Sequence, residues 1–271
     1  MSLLYKFEVC IEPKPVGRIR QVADTLKRIG HKAVRMTQNI ENSLHPVSKR
    51  KLSVRRLGRI DYETALSIQK ETAGAVRDGI EPDTLLLLEH PHTLTIGRRG
   101  SVAAVLNSET QLRERGIDVF ESNRGGKVTY HGVGQIVGYP IINLSPDRED
   151  VHRYVRNLEE ALLLTMRDFN IDAFRISGLT GVHTAHGKIA AIGVHIARWI
   201  TTHGFALNVN TDLSYFDLII GCEGEPVASM ERLLARELEM SEVEDRIAIR
   251  FAEVFEMELE SNLRTEEPVA L

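Results

Sequence analysis

The sequence predicts an α+β chain of mixed sheets flanked by helices. Three observations carry that reading. Strand-like segments recur along the chain, and helical ones fall between them irregularly instead of after every strand, which disfavours a doubly wound sheet. At least two segments keep a 3.6-residue apolar period over several turns. At 271 residues and 42% hydrophobic, the chain has enough material for one large domain, or one domain with a small appendage.

At the start, "YKFEVCIE" alternates, with Phe7, Val9 and Ile11 on one side, and Pro13, Pro15 and Gly17 end it. Ile19, Val22, Ala23, Leu26 and Ile29 then mark a helical face that Gly30 stops, and "KAVRM" reads as a second strand. This is a small β-α-β extension, joined by the linker "NIENSLHPVSKRK". Residues 1–50 are therefore set apart as a basic extension and linker, and 51–271 as the main domain.

From about Arg55 the pattern changes. Asp61 is a helix cap for a segment running through Val76. "DTLLLLEH" and "HTLTIG" are strands split by Pro91, and "GIDVFESN" holds a further short strand. Tyr154, Leu158, Leu162, Met166 and Phe169 share one face of a strong amphipathic helix. "GKIAAIGVHIARWITTHGFALNVN" reads as successive strands, with Gly187 and His203-Gly204 as turn signals. Ser241 and Glu244 have the spacing of a capping box ahead of a last helix through Ile247, Phe251, Val254 and Phe255.

Charge is uneven along the chain. Residues 1–56 hold thirteen Lys+Arg against four Asp+Glu, a balance of +9; the remainder balances at −13, giving −4 overall. A basic extension is either a solvated segment or a surface for an acidic partner. No apolar run approaches the roughly 20 residues of a membrane span. The first residues show no apolar core or small-residue cleavage site, so no signal peptide is expected. Two cysteines, Cys10 and Cys222, make no disulfide framework, and a reducing cytoplasm is the expected setting.

Three stretches hold residues that could do chemistry. "RGGKVTYHGVGQ" packs glycines with Arg124, Lys127 and His131, but matches neither a Walker A loop nor a dinucleotide fingerprint. On composition alone it reads equally as a bulged hairpin. Lys188 follows a turn glycine ahead of an apolar strand, where a lysine is ordinarily solvated. His183 and His186 form an H-x-x-H pair without the further ligands that a metal site needs, so no metal is expected. Cys222 sits in "LIIGCEGEPVASM", an apolar run reaching a bendable turn. A lone cysteine is more often a small buried hydrophobe than a nucleophile, and reactivity needs a thiolate that a nearby cation would favour.

Taken together, "LLLLEHPHTLTIGRRG", "RGGKVTYHGVGQ", "YPIINL", "GKIAAIGV", "RWITTHGFALNVNTDLSYFDLIIGC" and "VASM" closely resemble the lipoyl(octanoyl) transferases, over roughly residues 55 to 235. The resemblance implies a catalytic domain of the biotin/lipoate protein ligase type. It implies an octanoyl group passing from octanoyl-acyl carrier protein to an enzyme cysteine, then to a lysine of lipoyl domains. Those domains belong to 2-oxoacid dehydrogenase complexes and the glycine cleavage H protein. No cofactor, nucleic acid or membrane is implied. Carried over by motif, Cys222 is the acyl-accepting nucleophile and Lys188 lowers its pKa. Arg124, Gly125, Gly126, Lys127, Val128, Thr129, Tyr130 and His131 line the acyl site, with Ala191, Ile192, Gly193, Gly204, Phe205 and Ala206. The chain departs from the family pattern at Val133, where proline is usual, and at Gly221 and Glu223, which replace proline and glycine around the cysteine.

Two other readings compete. One is an ATP-dependent lipoate or biotin ligase of the same fold, which makes an acyl-adenylate and needs no nucleophilic cysteine. The other is a degenerate, non-enzymatic module that binds carrier proteins.

Overall fold

The computed structural model describes residues 49–220 and 226–260, with the backbone of 264–265. The β-α-β extension, Cys10 and the Gly221-Cys222-Glu223 turn lie outside the described residues.

A mixed eight-stranded sheet forms the centre. Strand β1 (Arg50–Arg59) pairs in parallel with β2 (Asp83–Glu89), β10 (Met257–Leu259) and β11 (Arg264–Thr265). Beyond β2 the sheet is antiparallel, running through β6 (Gln135–Ile141), β9 (Ile200–Asn208), β8 (Gly187–Ala197) and β7 (Val182–Thr184). Three short strands make a second sheet, with β3 (Thr93–Ile96) between β4 (Asp118–Glu121) and β5 (Val128–His131).

Side chains alternate across a strand, so a strand apolar at successive positions must be covered on both faces. Strand β2 meets that condition. Leu85 and Leu87 join a core with helix α3 (Val151–Asp168), the short helix α4 (Met230–Leu234) and helix α5 (Met240–Val254). Leu86 and Leu88 join a second core beneath helix α1 (Tyr62–Arg77). The small sheet has its own core, where Leu94, Ile96 and Tyr130 pack with Leu112 of helix α2 (Glu109–Glu114) and with Leu218 and Ile219. Asp61 caps α1, its carboxylate accepting the Thr64 N–H at 2.8 Å. All five residues of the apolar stripe read in "Tyr154…Phe169" are buried.

Three sequence expectations need correction. Ser241 lies inside α5 and caps nothing: Glu239 is the N-cap and makes no side-chain cap bond. Glu244 instead meets Arg56 of β1 at 3.2 Å. "RGGKVTYHGVGQ" is no hairpin, because β5 and β6 belong to different sheets. Nor does His203-Gly204 turn the chain, since both residues sit within β9. The β8–β9 turn falls at Arg198-Trp199, between the paired Ala197 and Ile200, and both residues take the positive φ that a tight two-residue hairpin turn demands. His203 also has positive φ, at 55°. There its N–H donates to Gln69 Oε1 of α1 at 2.7 Å, so a helix side chain takes up the donor.

Candidate active site

The glycine-rich loop between β4 and β5 lies where the two sheets meet. Gly97, Arg98 and Arg99 donate their backbone N–H groups to the carbonyls of Lys127, Arg124 and Gly126. A Cβ on Gly97 would sit 2.7 Å from the Gly126 oxygen, so the approach requires glycine. On the other side, Gly125 N–H donates to Val194 O of β8 at 3.0 Å, and a Cβ on Gly193 would lie 2.7 Å from the Gly125 oxygen. The loop is thereby laid against β8.

Below it opens a cavity, with about 980 Å³ of empty space when the open solvent around it is included. Of the residues expected from the sequence, Arg124, Gly126, Lys127, Val128, Thr129, His131, Lys188, Ala191, Ile192, Gly193, Gly204, Phe205 and Ala206 line it together. Gly125 and Tyr130 are not among the described lining residues. Gly125 spends its backbone on β8, and Tyr130 packs into the core of the small sheet, stacked at 5.0 Å on Tyr215 and bonded through its hydroxyl to His92 Nδ1 at 2.8 Å. His183 is buried in β7, and His186 is exposed in the turn before β8. Among the described residues no three of His, Cys, Asp and Glu are grouped as metal ligands.

Sequence reasoning missed other residues on the same walls: Tyr62, Gln135, Tyr139, Thr180, Asn208, Phe216, Ile219 and Val227. Gln135 and Asn208 stand out because they are polar and almost wholly buried, at 1% and 4% exposure. They belong to one hydrogen-bonded chain with a fixed direction. Arg124, a pure donor, gives N–H groups from Nε and Nη2 to Thr95 Oγ1 at 3.1 and 2.8 Å. Thr95 Oγ1 lies 3.3 Å from His131 Nε2, and His131 Nδ1 lies 2.9 Å from Gln135 Oε1. Gln135 Nε2 donates to Asn208 Oδ1 at 2.9 Å and to Tyr130 O at 3.2 Å. Asn208 Nδ2 donates to Ala228 O at 3.0 Å. A backbone carbonyl only accepts, so every amide and the imidazole tautomer are determined by the two ends of the chain. Thr95 gives its proton to Nε2, and His131 carries its own on Nδ1. Burial, helped by His90 and Arg124, pushes the His131 pKa well down, which keeps the ring neutral as this chain requires.

The chain ends beside Lys188. Ala228 N–H donates to Lys188 O at 2.9 Å, Lys188 N–H donates to Pro226 O at 2.8 Å, and Lys188 pairs with Val227 in a parallel bridge. Gly187, at φ 131°, permits this, because a Cβ there would stand 2.3 Å from the Pro226 oxygen. Gly181, at φ 129°, lies beside the lysine stem, and a Cβ there would stand 2.6 Å from the Ala190 oxygen and in ordinary contact with Lys188 Cε at 3.5 Å. Gly181 N–H in turn donates to Glu159 Oε1 at 3.1 Å, and the other oxygen of this buried carboxylate pairs with Arg156 and Arg175 at 2.7 and 3.1 Å. A glutamate among the buried residues of α3 was the sequence signal for this support. Cys222 lies outside the described residues. Ile219 and Val227, on either side of its segment, both line the cavity.

Chemically, the site offers a largely apolar slot with two lysines, Lys127 and Lys188, on its walls, and polar groups that are mostly occupied with one another. Such a slot suits a linear apolar chain ending in a reactive carbonyl.

Comparison with known proteins supports the same kind of chemistry. The family described as "Lipoyl protein ligase A/B catalytic domain" matches residues 61–252. An octanoyltransferase of Solibacter usitatus is 50% identical over 211 residues, covering 78% of this chain and 96% of that protein. An octanoyltransferase of Pelobacter propionicus is 47% identical over 197 residues, covering 72% and 91%. In shape, the chain matches a bipartite lipoate protein ligase of Thermoplasma acidophilum, solved in a study of that ligase and its E2 lipoyl domain. That match has a TM-score of 0.62 at 20% identity and covers 82% of this chain and 89% of the other, a likeness of fold.

Proposed function

The chain belongs to the lipoyl protein ligase A/B catalytic-domain family, and we propose that it is an octanoyltransferase whose nucleophile is Cys222. Octanoyl-acyl carrier protein is the donor and a lysine of a lipoyl domain the acceptor, in the first step of endogenous protein lipoylation. The Cys222 thiolate attacks the donor thioester carbonyl. The carrier thiol leaves, and the acyl group rests on the enzyme as a thioester. The acceptor amine then attacks that carbonyl, an amide forms, and Cys222 is released. Thioester exchange is nearly balanced and amide formation supplies the driving force, so no nucleotide is required. Splitting the transfer in two is the usual use of an activated cysteine. Lys188 serves both halves: as ammonium it favours the thiolate and gives its proton to the departing carrier sulfur, and as the resulting neutral amine it accepts the acceptor amine's proton.

One observation carries the reading. Ile219 and Val227, which lie three residues before and five after Cys222 in the chain, line the cavity that Lys188 also lines, and Val227 bridges to Lys188. The identities of 50% and 47% to octanoyltransferases support the acyl group. A cytoplasmic setting would keep the thiol reduced, and among the described residues no helix is long and apolar enough to cross a membrane. We further propose that residues 1–50 assist docking of acidic carrier and lipoyl domains.

The test is transfer from octanoyl-carrier protein to a lipoyl domain without ATP. Transfer without nucleotide supports the proposal. Transfer from free octanoate that depends on ATP would make the chain a ligase, and no transfer under either condition would favour a binding module.

A further inference from the structure

The cavity has a second end, away from Lys188. Val194, the β8 partner of His203, lies well down the strand from Lys188, and Tyr62, Tyr139 and His203 gather there. Behind them lies a separate open cleft between α1 and the β8–β9 hairpin, with about 1430 Å³ of empty space counting open solvent. Ser122 and Asn123 line the cleft and not the cavity, whereas His203 lines both.

The two spaces are divided by two side-chain hydrogen bonds. Tyr62 Oη, on the cavity side, donates to Ser122 Oγ at 2.9 Å. His203 Nε2 lies 2.6 Å from Asn123 Oδ1, an acceptor, so Nε2 carries the proton. His203 is itself held from α1 by Gln69. Ser122 and Asn123 follow β4 directly and belong to no strand. This short loop segment is therefore a partition, drawn to the cavity's end by the hydroxyl of one lining residue and the imidazole of another. Its far side faces a cleft with apolar surface from Leu66, Ala73 and Ile200.

We infer that the Ser122–Asn123 partition is the end wall of the acyl cavity and sets the longest acyl chain the enzyme accepts. The inference rests on reading the cavity as the acyl site. A chain that outgrows the cavity meets Tyr62 and His203, and these cannot swing aside while Ser122 and Asn123 hold them. With the two bonds removed, the rings gain freedom and a longer tail can pass into the cleft over Leu66, Ala73 and Ile200. Neither Ser122 nor Asn123 contributes to the catalytic end, so octanoyl transfer should survive their loss.

The experiment compares the full-length enzyme with Asn123→Ala and with the Ser122→Ala/Asn123→Ala double variant. Carrier proteins loaded with acyl groups from octanoyl to hexadecanoyl are the donors, and a thermal melt checks folding. In the double variant the kcat/KM ratio of dodecanoyl to octanoyl should rise at least about ten-fold, the low end of what the fit of a single methylene decides in an apolar pocket. Asn123→Ala should show a smaller rise and covers the case in which the double variant does not fold. An unchanged chain-length profile with octanoyl transfer intact would overturn the inference. So would an equal loss of short and long donors in a folded variant, which would make the partition structural only. Failure of the unmodified enzyme to use octanoyl-carrier protein would instead overturn the functional reading beneath it.

Discussion

The two ends of the cavity are closed by different kinds of bond. At the Lys188 end the contacts are backbone to backbone: Lys188 to Pro226, Ala228 to Lys188, and a glycine at 187 where a side chain would strike a carbonyl. At the His203 end the contacts are side chain to side chain, through Ser122 and Asn123. Backbone contacts survive most substitutions, provided glycine stays where a Cβ has no room, whereas side-chain contacts change with every substitution. On the proposed reading, the end that performs chemistry is held by contacts that tolerate substitution, and the end that measures the substrate by contacts that do not.

The largest effect should come from the chemical end. Cys222→Ser is expected to abolish transfer while Cys10→Ser leaves it intact, as followed by lipoyl-domain acylation. Lys188→Ala should cost about 10²- to 10⁴-fold, the usual scale of a proton-transfer group, and should raise the pH at which Cys222 becomes reactive toward an alkylating agent. Equal loss from both cysteine substitutions would point to a structural cause.

Next in size is the backbone frame. Gly187→Ala puts a Cβ 2.3 Å from the Pro226 oxygen at a φ of 131°. Strain of about 1–3 kcal/mol is expected, with a large fall in kcat because Pro226 is displaced from Lys188. If kcat holds while the melting temperature drops, the frame matters only for stability.

The polar chain ranks third. Asn208→Ala leaves the Ala228 carbonyl and one Gln135 N–H without their partner, at a cost of about 1–3 kcal/mol in a buried setting. Chemical denaturation measures that cost. A matching fall in kcat with an unchanged KM would show that the chain also positions the residues around Lys188.

A graded effect should come from pH. Burial holds His90 and His203 down to about 4, against an ordinary value of 6.5. Between those values the unfolded chain binds more protons than the folded one. Their contribution to stability is therefore complete above pH 6.5 and is lost progressively as pH falls toward 4. Melting temperature should decline across that window, and less steeply in His90→Gln. The smallest effect concerns residues 1–50. Their deletion should lower kcat/KM for octanoyl-carrier protein a few-fold at low salt and much less at high salt, because exposed charges are screened.

What the sequence revealed, and what it hid, follows the same division. Asp61, the four leucines of β2 and the apolar stripe of α3 were legible because cap chemistry and periodicity are local. Strand β1 was not, since its run of arginines breaks the alternation; its place comes from pairing with β2 and β10, far away in the chain. His203-Gly204 looked like a turn because glycine serves two purposes. Here it allows close approach, with a Cβ position only 2.2 Å from the Gly138 oxygen. Arg198-Trp199 gave no turn signal, lacking the Gly or Asn that such turns usually carry. In the site, Lys188 and the glycine loop were readable through family motifs. Gln135 and Asn208 were not singled out, although both lie inside the same motifs. A polar residue in a strand reads as solvent-facing until its buried partners are known, and theirs come from β5, β6, β9 and the segment at Ala228.

The measurement that bears most directly on the account is the intact mass of the enzyme after incubation with octanoyl-carrier protein alone, without ATP or acceptor. A gain of about 126 Da is expected, one octanoyl group replacing a proton in a covalent intermediate. Peptide mapping should place it on Cys222, and hydroxylamine should remove it as it does a thioester. No gain in mass, or an adduct on Cys10, would contradict the central claim.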